Sequence, residues 1–217
     1  MAGYQQFCPI ARALDVLGER WTLLVVRELM MGERHFNGIQ RGIPRISKTM
    51  LSARLKRLES AGLVERAEGE YRLTEPGENL APVLRERGQW ALESDPRGLR
   101  KEDLGAQALT HDMSRRVVPE RLPVHPTLVE LRFRGTRRAG PSFLLARRPH
   151  VQLCAEDGGF DIALRVDADL EALTRFWLGE TSWDSLLRAG AVTLTGPAEL
   201  RRDFPAWFSG YLLRPRG

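Results

Sequence analysis

Histidine and cysteine are the side chains best suited to move protons, ligate a metal or act as nucleophiles, and their spacing here supports none of these roles. His35, His111, His125 and His150 are scattered, and Cys8 and Cys154 stand far apart. No HExxH, GxSxG, paired-cysteine or glycine-rich phosphate-loop pattern occurs. Asp157, Asp161, Asp167 and Asp169 cluster in sequence, but turns and helix caps explain them at least as well as acid–base chemistry. The expectation is a chain that is not an enzyme and holds no metal or cofactor. Two isolated cysteines do not make a disulfide framework, and a reducing, cytoplasmic setting is expected.

The residues that do form a pattern are basic. Arg34, Arg41, Arg45, Lys48, Arg54, Lys56 and Arg57 lie within 34–58, and no Asp or Glu interrupts them. The rest of the first 95 residues carries seven basic and thirteen acidic side chains, so this cationic stretch is local. Such a surface gains by releasing the counterions condensed on closely spaced phosphates, as in a nucleic-acid duplex. The formal charge of +5 and pI of about 9.7 allow a polyanionic partner without requiring one. Only three of the 33 basic residues are lysine, an arginine bias that fits a GC-rich genome as well as a function.

The element that must position these cations is a helix from Lys48 to about Ala61, opened by Ser47 as N-cap and closed by Gly62. At roughly 100° per residue, Leu51, Leu55 and Leu58 share a core face, while Thr49, Ser52, Ala53 and Lys56 fall on or near the opposite one. Short polar side chains and one long cation suit close entry into the major groove, where Ser and Thr bond base edges and Ala meets a thymine methyl. Arg45 and Lys48 flank the helix start and, with Arg54 and Arg57 at its sides, are the expected contacts to backbone phosphates; Arg34, further upstream, and Ser47 complete the expected DNA-binding set.

Around that helix the pattern reads as a helix to Leu17, a second from Trp21 to Leu29 with apolar residues on several faces, and a short third over 35–41. Two strands follow, 63–66 and 71–74, joined by a tight turn over Ala67 to Glu70. A helix over 75–93 contains Pro82, which demands a kink or a late start. Helix, short turn, helix and hairpin is the layout of a winged helix-turn-helix. Asp95-Pro96-Arg97-Gly98 reads as a break. A polar helical connector comes next, and then short strands at 128–133, 142–146, 151–155 and 160–166. Helices at 170–178 and 183–189, a strand at 192–195 and a last helix opened by Pro197 complete the chain. No apolar run reaches membrane-spanning length and the N-terminus lacks a secretory pattern, so neither a span nor a leader is expected.

The segments CPIARALDVLGERWTLLVVREL, RHFNGIQRGIPRISKTMLSARLKRLESAGLVER and YRLTEPGENLAPVL together resemble the HxlR-type regulators over roughly residues 7–93. The shared pattern is Cys-Pro near the start, Gly-x-x-Trp-Thr, Arg-x-Phe, Ile-Ser followed by Leu-x-x-Arg-Leu, and Gly-Leu-Val. The resemblance implies a homodimer on a roughly palindromic double-stranded DNA operator. Its dimer contacts would come from the first helix and the helix after the wing, where Ile10, Leu14, Leu80 and Leu84 are candidates that also read as ordinary core. Some relatives use a cysteine near position 8 as an oxidant sensor, so Cys8 reads either as a redox sensor or as a small packing residue. The wing departs from the family pattern in being short and acidic, which speaks against its insertion into the minor groove.

GFDIALRVDADLEALTRFWLGETSWDSLLRAGAVTLTGPAELRRDFPAWF resembles the sterol-carrier-protein-like fold, which implies an α/β domain around an apolar pocket. Phe133, Phe143, Phe160, Trp177, Trp183 and Trp207 are the expected pocket residues, with core packing as the competing reading. The expected fold is therefore α+β. Residues 1–95 form a winged helix-turn-helix domain, mostly α with a two-stranded wing, 96–122 a helical connector, and 123–217 a sterol-carrier-protein-like domain. The expected function is a sequence-specific DNA-binding regulator, a repressor rather than an activator, controlled by a hydrophobic small molecule through the connector. The alternative is a lipid carrier whose first half serves only oligomerisation.

Overall fold

The structure, a computed structural model, describes residues 3–136, 140–154 and 156–211. Two compact units make up the chain, Met1–Asp95 and Pro96–Gly217. The first contains α1 (Pro9–Leu17), α2 (Thr22–Met30), α3 (Phe36–Gly42), α4 (Lys48–Ser60), β1 (Val64–Ala67), β2 (Glu70–Leu73), the single turn α5 (Glu75–Glu78) and α6 (Ala81–Ser94). The second contains α7 (Ala106–Arg115), β3 (Thr127–Arg134), β4 (Ser142–Arg147), β5 (His150–Cys154), β6 (Ile162–Asp169), α8 (Leu170–Leu178), α9 (Trp183–Arg188), β7 (Val192–Thr195) and α10 (Ala198–Asp203).

In the first unit Val25, Val26 and Leu29 of α2 meet Ile39 of α3, Ile43 just after it and the leucine stripe of α4 in one buried cluster. This is why α2 carries apolar residues on more than one face, although Leu24 stays exposed. Pro82 falls in the first turn of α6, where its missing N–H costs nothing, so the chain breaks into α5 and α6 rather than kinking. β1 and β2 form an antiparallel hairpin, Val64 opposite Leu73 and Ala67 opposite Glu70. Its two-residue tip places Glu68 at φ 53° and Gly69 at φ 84°, the paired left-handed conformation that two-residue hairpins favour. Glycine takes this conformation without penalty, and Glu68 carries its cost.

An ion pair with a buried carboxylate fixes the approach of α3. Glu28, fully buried on α2, accepts from Arg27 Nε at 2.9 Å and Nη2 at 2.6 Å, and the same Nη2 donates to the Gly42 carbonyl at 3.1 Å. The carboxylate lies so close to the end of α3 that a Cβ on Gly42 would sit 1.8 Å from Glu28 Oε2. Gly42 is thus required for space, at the entrance to the turn that leads into α4.

The second unit is built on a five-stranded sheet in the order β5-β4-β3-β6-β7, with β3 and β6 parallel and the other neighbours antiparallel. Alternation sorts its faces: Val129 and Leu131 with Leu164, Val166 and Ala168 enter the main core, while Glu130, Arg132 and Arg165 point the other way. The segment read as a connector contributes to this core. Ala106, Leu109 and Met113 of α7 are buried in it, because the helix is polar on one side only. Ala155, the expected end of a strand, and 212–217, the end of the expected second domain, lie outside the described residues.

Two predictions follow from the buried carboxylates. Gly42→Ala forces Glu28 or the α3 end to move, and urea denaturation should show a loss of about 2 kcal/mol. Glu130 is buried and accepts from Arg132 Nε at 2.9 Å and Arg165 Nε at 2.6 Å. Burial pushes its carboxyl upward, but the two arginine hydrogen bonds and charges outweigh this and hold it below the ordinary carboxylate value. A lowered folded-state value means that its stabilisation is complete above the ordinary carboxylate range and fades as pH falls through the lowered one. Glu130→Gln should therefore cost about 2 kcal/mol at neutral pH, since its half-exposed partners remain solvated, and the difference should vanish in acid.

Candidate nucleic-acid interface

Ser47 opens α4 by accepting a hydrogen bond from the Met50 amide at 3.2 Å. Leu51, Leu55 and Leu58 are then fully buried against α2 and α3, with Ile43 and Ile46 closing the turn beneath them. This stripe leaves Lys48, Thr49, Ala53 and Lys56 exposed and Ser52 half-buried. Ser60 and Met50 are exposed on the same helix. Ser60 stands close to the line of Thr49, Ala53 and Lys56, a position the sequence reading passed over although helical spacing reveals it. Lys48 and Lys56 form no ion pair among the described residues, and Arg45 is exposed in the α3–α4 turn.

Three of the expected DNA-contact residues make hydrogen bonds within the fold. Arg34 Nη1 donates to the Leu29 carbonyl at 2.9 Å and the Glu33 carbonyl at 3.2 Å, closing the C-terminal end of α2. Arg54 Nε donates to the Arg20 carbonyl at 2.9 Å, and its guanidinium pairs with Glu19. Arg57 Nη2 donates to the Asp15 carbonyl at 2.6 Å. The physical reason for Arg54 is angular. It lies ~60° around the helix from the leucine stripe, so its stem lies along the core edge instead of facing outward.

The hairpin is acidic on its rim. Glu65 and Glu68 are exposed, and Glu70 holds Arg72 Nη2 at 2.7 Å with His35 Nε2 at 3.8 Å. The hydrogen bond from Arg72 is the main reason that the Glu70 carboxyl lies below its ordinary value. Arg66 stacks over the Tyr71 ring at 5.2 Å. The wing cations are thus paired within the hairpin.

Cys8 is a half-buried free thiol at the N-cap position of α1, where its side chain makes no capping bond. Of the dimer candidates, Ile10 and Leu14 are exposed, whereas Leu80 and Leu84 pack on the cluster of their own unit.

The six aromatics expected to line one pocket do not converge. Trp177 and Trp207 are buried and Phe133 and Trp183 half-buried in the main core of the second unit. Trp183 meets Phe176 at 5.1 Å and Trp207 meets Phe204 at 5.3 Å, so ring packs on ring and fills the space. Trp177 Nε1 donates to Asp112 Oδ2 at 2.8 Å, which fixes the indole. Phe143 lies on the opposite sheet face with Leu128 and Leu145, and Phe160 is exposed beneath the Arg147 guanidinium. A separate cleft of about 320 Å³ has Leu122, Leu200, Ala206 and Trp207 along its apolar side and Arg121 and Arg148 among its polar residues. Trp207 is the one expected residue it includes. Among the described residues no helix is long and apolar enough to cross a membrane, and no group of three or more His, Cys, Asp or Glu could hold a metal ion.

The profile of the HxlR-like helix-turn-helix family matches residues 16–97. The uncharacterized HTH-type transcriptional regulator YvaP of Bacillus subtilis is 40% identical over 96 residues, which cover 41% of this chain and 89% of YvaP. The uncharacterized HTH-type transcriptional regulator Rv3095 of Mycobacterium tuberculosis is 42% identical over 97 residues, 41% of this chain and 60% of that relative, so the match leaves more than a third of its length unmatched. Among solved structures, quinone-bound YodB from B. subtilis is 44% identical at a TM-score of 0.37, covering 39% of this chain and 97% of that one. With its helix-turn-helix geometry and its near-complete match to YvaP, the chain belongs to the HxlR-like helix-turn-helix family of transcriptional regulators.

Proposed function

We propose that this chain is a homodimeric, sequence-specific repressor that reads an operator with α4 and answers to a small amphipathic molecule in its second unit. The observation that carries the reading is the outer face of α4. Thr49, Ala53 and Lys56 stand exposed in line, Ser52 is beside them and Lys48 is at the helix start, while the leucines opposite are buried. Thr49, Ser52 and Ala53 meet base edges, Lys56 reaches a base or phosphate, and Ser47, Lys48 and Arg45 sit where the free amides of the first turn also face a phosphate. A second copy of the chain accounts for Phe7, 97% exposed just before α1, and for Ile10, 71% exposed, with Leu14 one turn on along α1. Repression follows because a dimer seated on an operator blocks polymerase without further contacts.

The element order from β6 through α8, α9 and β7 to α10 supports reading the second unit as a sterol-carrier-protein-like domain. The effector site moves, however, from the packed aromatics to the cleft beside Trp207, whose size suits a small ligand. Such a ligand regulates only if it binds the DNA-competent and incompetent states with different affinity.

Fluorescence anisotropy on upstream duplexes between 50 and 200 mM salt tests the first part. Lys48→Ala should weaken binding to all sequences and lower the salt slope by about one, whereas Ser52→Ala should change preference at one base position. Salt-independent or absent binding refutes the reading. For the second part, a thermal-shift series of amphipathic compounds should stabilise the protein, and Ala206→Trp, which fills the cleft from an exposed position, should abolish the shift. A shift unaffected by Ala206→Trp places the ligand elsewhere.

A further inference from the structure

The flank of α4 is tied to the α1–α2 turn and to the end of α1 on two successive turns. Arg54 is only 15% exposed at its side chain, with Nε on the Arg20 carbonyl at 2.9 Å and the guanidinium paired to Glu19. Three residues on, Arg57 bonds the Asp15 carbonyl. The Asp15 carboxylate in turn accepts from the Tyr4 amide at 2.8 Å. The turn so held is conformationally costly. Trp21 has φ 79°, in the left-handed region that a bulky residue rarely takes, and it persists only where its surroundings over-determine it. Arg54 pins the carbonyl just before it, and the Arg20 guanidinium covers its indole at 4.5 Å.

We infer that Arg54, together with Glu19, is a positioning residue for DNA recognition: it fixes the seating of α4 on the α1–α2 turn and does not bind phosphate. With its side chain only 15% exposed, Arg54 could turn its Nε–Nη1 edge to a phosphate only by leaving both a carbonyl and a carboxylate. While paired with Glu19 it adds no net charge to release counterions. A bidentate guanidinium can hold a carbonyl and a carboxylate at once in a fixed plane, which an ammonium cannot. The α4 surface is therefore set by the same contacts that define the end of the first helix. A change at α1 or in the segment before it, which reaches Asp15 through Tyr4, has a direct mechanical path to the reading face.

This inference rests on α4 being the DNA-reading helix, and its test separates the two. The full chain, with Glu19→Gln, Arg54→Lys and Arg54→Ala, is titrated with one duplex over a range of salt. Circular dichroism and a cooperative melt check that each variant is folded. Positioning predicts that Glu19→Gln weakens binding about tenfold although it removes a negative charge from a DNA-binding unit, and that Arg54→Lys does the same. It also predicts that the salt slope stays unchanged in all three. A phosphate contact predicts the opposite: Glu19→Gln tightens binding, Arg54→Lys is near wild type, and Arg54→Ala lowers the slope by about one. Either of the first two results in folded protein overturns the inference and leaves the reading of α4 intact. Failure of the wild type to bind any duplex overturns both. Hydrogen exchange without DNA tests the tie itself: the Thr22 and Val25 amides, bonded to the Glu19 and Trp21 carbonyls, should exchange faster in Glu19→Gln. Unchanged exchange there refutes the tie.

Discussion

Leu51, Leu55 and Leu58 have to be buried, and α4 offers no other apolar stripe. Each fully buried leucine is worth about 1.5–3 kcal/mol, far more than any exposed contact the helix makes within the fold. This burial sets the rotation of α4 about its axis and hence which side chains look outward. It also explains the surroundings: α2 is apolar on several faces because α3 and α4 both pack on it, and Gly42 lacks a side chain because Glu28 fills that space. The outer face proposed to read DNA is what remains after the core has been satisfied.

Arginine plays a second part throughout the chain, as a clamp on backbone carbonyls. Arg27 holds Gly42, Arg34 holds Leu29 and Glu33, Arg54 holds Arg20, and Arg57 holds Asp15. In the second unit Arg134 bonds the Gly190 and Ala191 carbonyls and Arg148 those of Leu122 and Glu120. The guanidinium suits this work because its donors lie in one plane and its stem packs along apolar surface. In so arginine-rich a chain, local positive charge overstates the cations free to meet a polyanion. Lysine is the better marker here, and Lys48 and Lys56 stand on the exposed face.

What the sequence disclosed and what it concealed divide along the range of the interactions. The Ser47 cap, the Asp169 and Ser182 caps of α8 and α9, the split at Pro82 and the two-residue hairpin tip are local effects, and each is written in a few neighbouring residues. The alternation of β3 and β6 likewise shows which face is buried. Arg54 and Arg57 find their partners 34 and 42 residues away, and no periodicity announces such contacts. The six aromatics were misjudged for a related reason: composition shows how much aromatic bulk a unit holds, but only the tertiary arrangement decides whether rings enclose a space or occupy it. They occupy it, and the cleft lies beside the one ring at their edge. The polar character of α7 hid its role because half of a helix surface suffices to join a core.

The acidic wing bears on the proposed pairing of two copies. Counterion release scales with the number of phosphates neutralised. With Arg54 neutralised by Glu19, Arg34 turned to the Leu29 and Glu33 carbonyls, and the wing edged by Glu65 and Glu68, one copy brings fewer cations to a duplex than its count of basic residues suggests. Fewer phosphate contacts mean weaker non-specific binding, so under the proposed function a larger share of the affinity would come from base contacts by α4. One short helix face covers only a few base pairs, which limits its discrimination. Joining two such faces in fixed register multiplies their separate preferences and doubles the phosphate contacts without adding a residue. The exposed Phe7, Ile10 and Leu14 lie on or next to α1, the helix to which α4 is tied through Arg57. The surface that would set the spacing of two copies and the surface that would read the bases are thus held to one short stretch of chain.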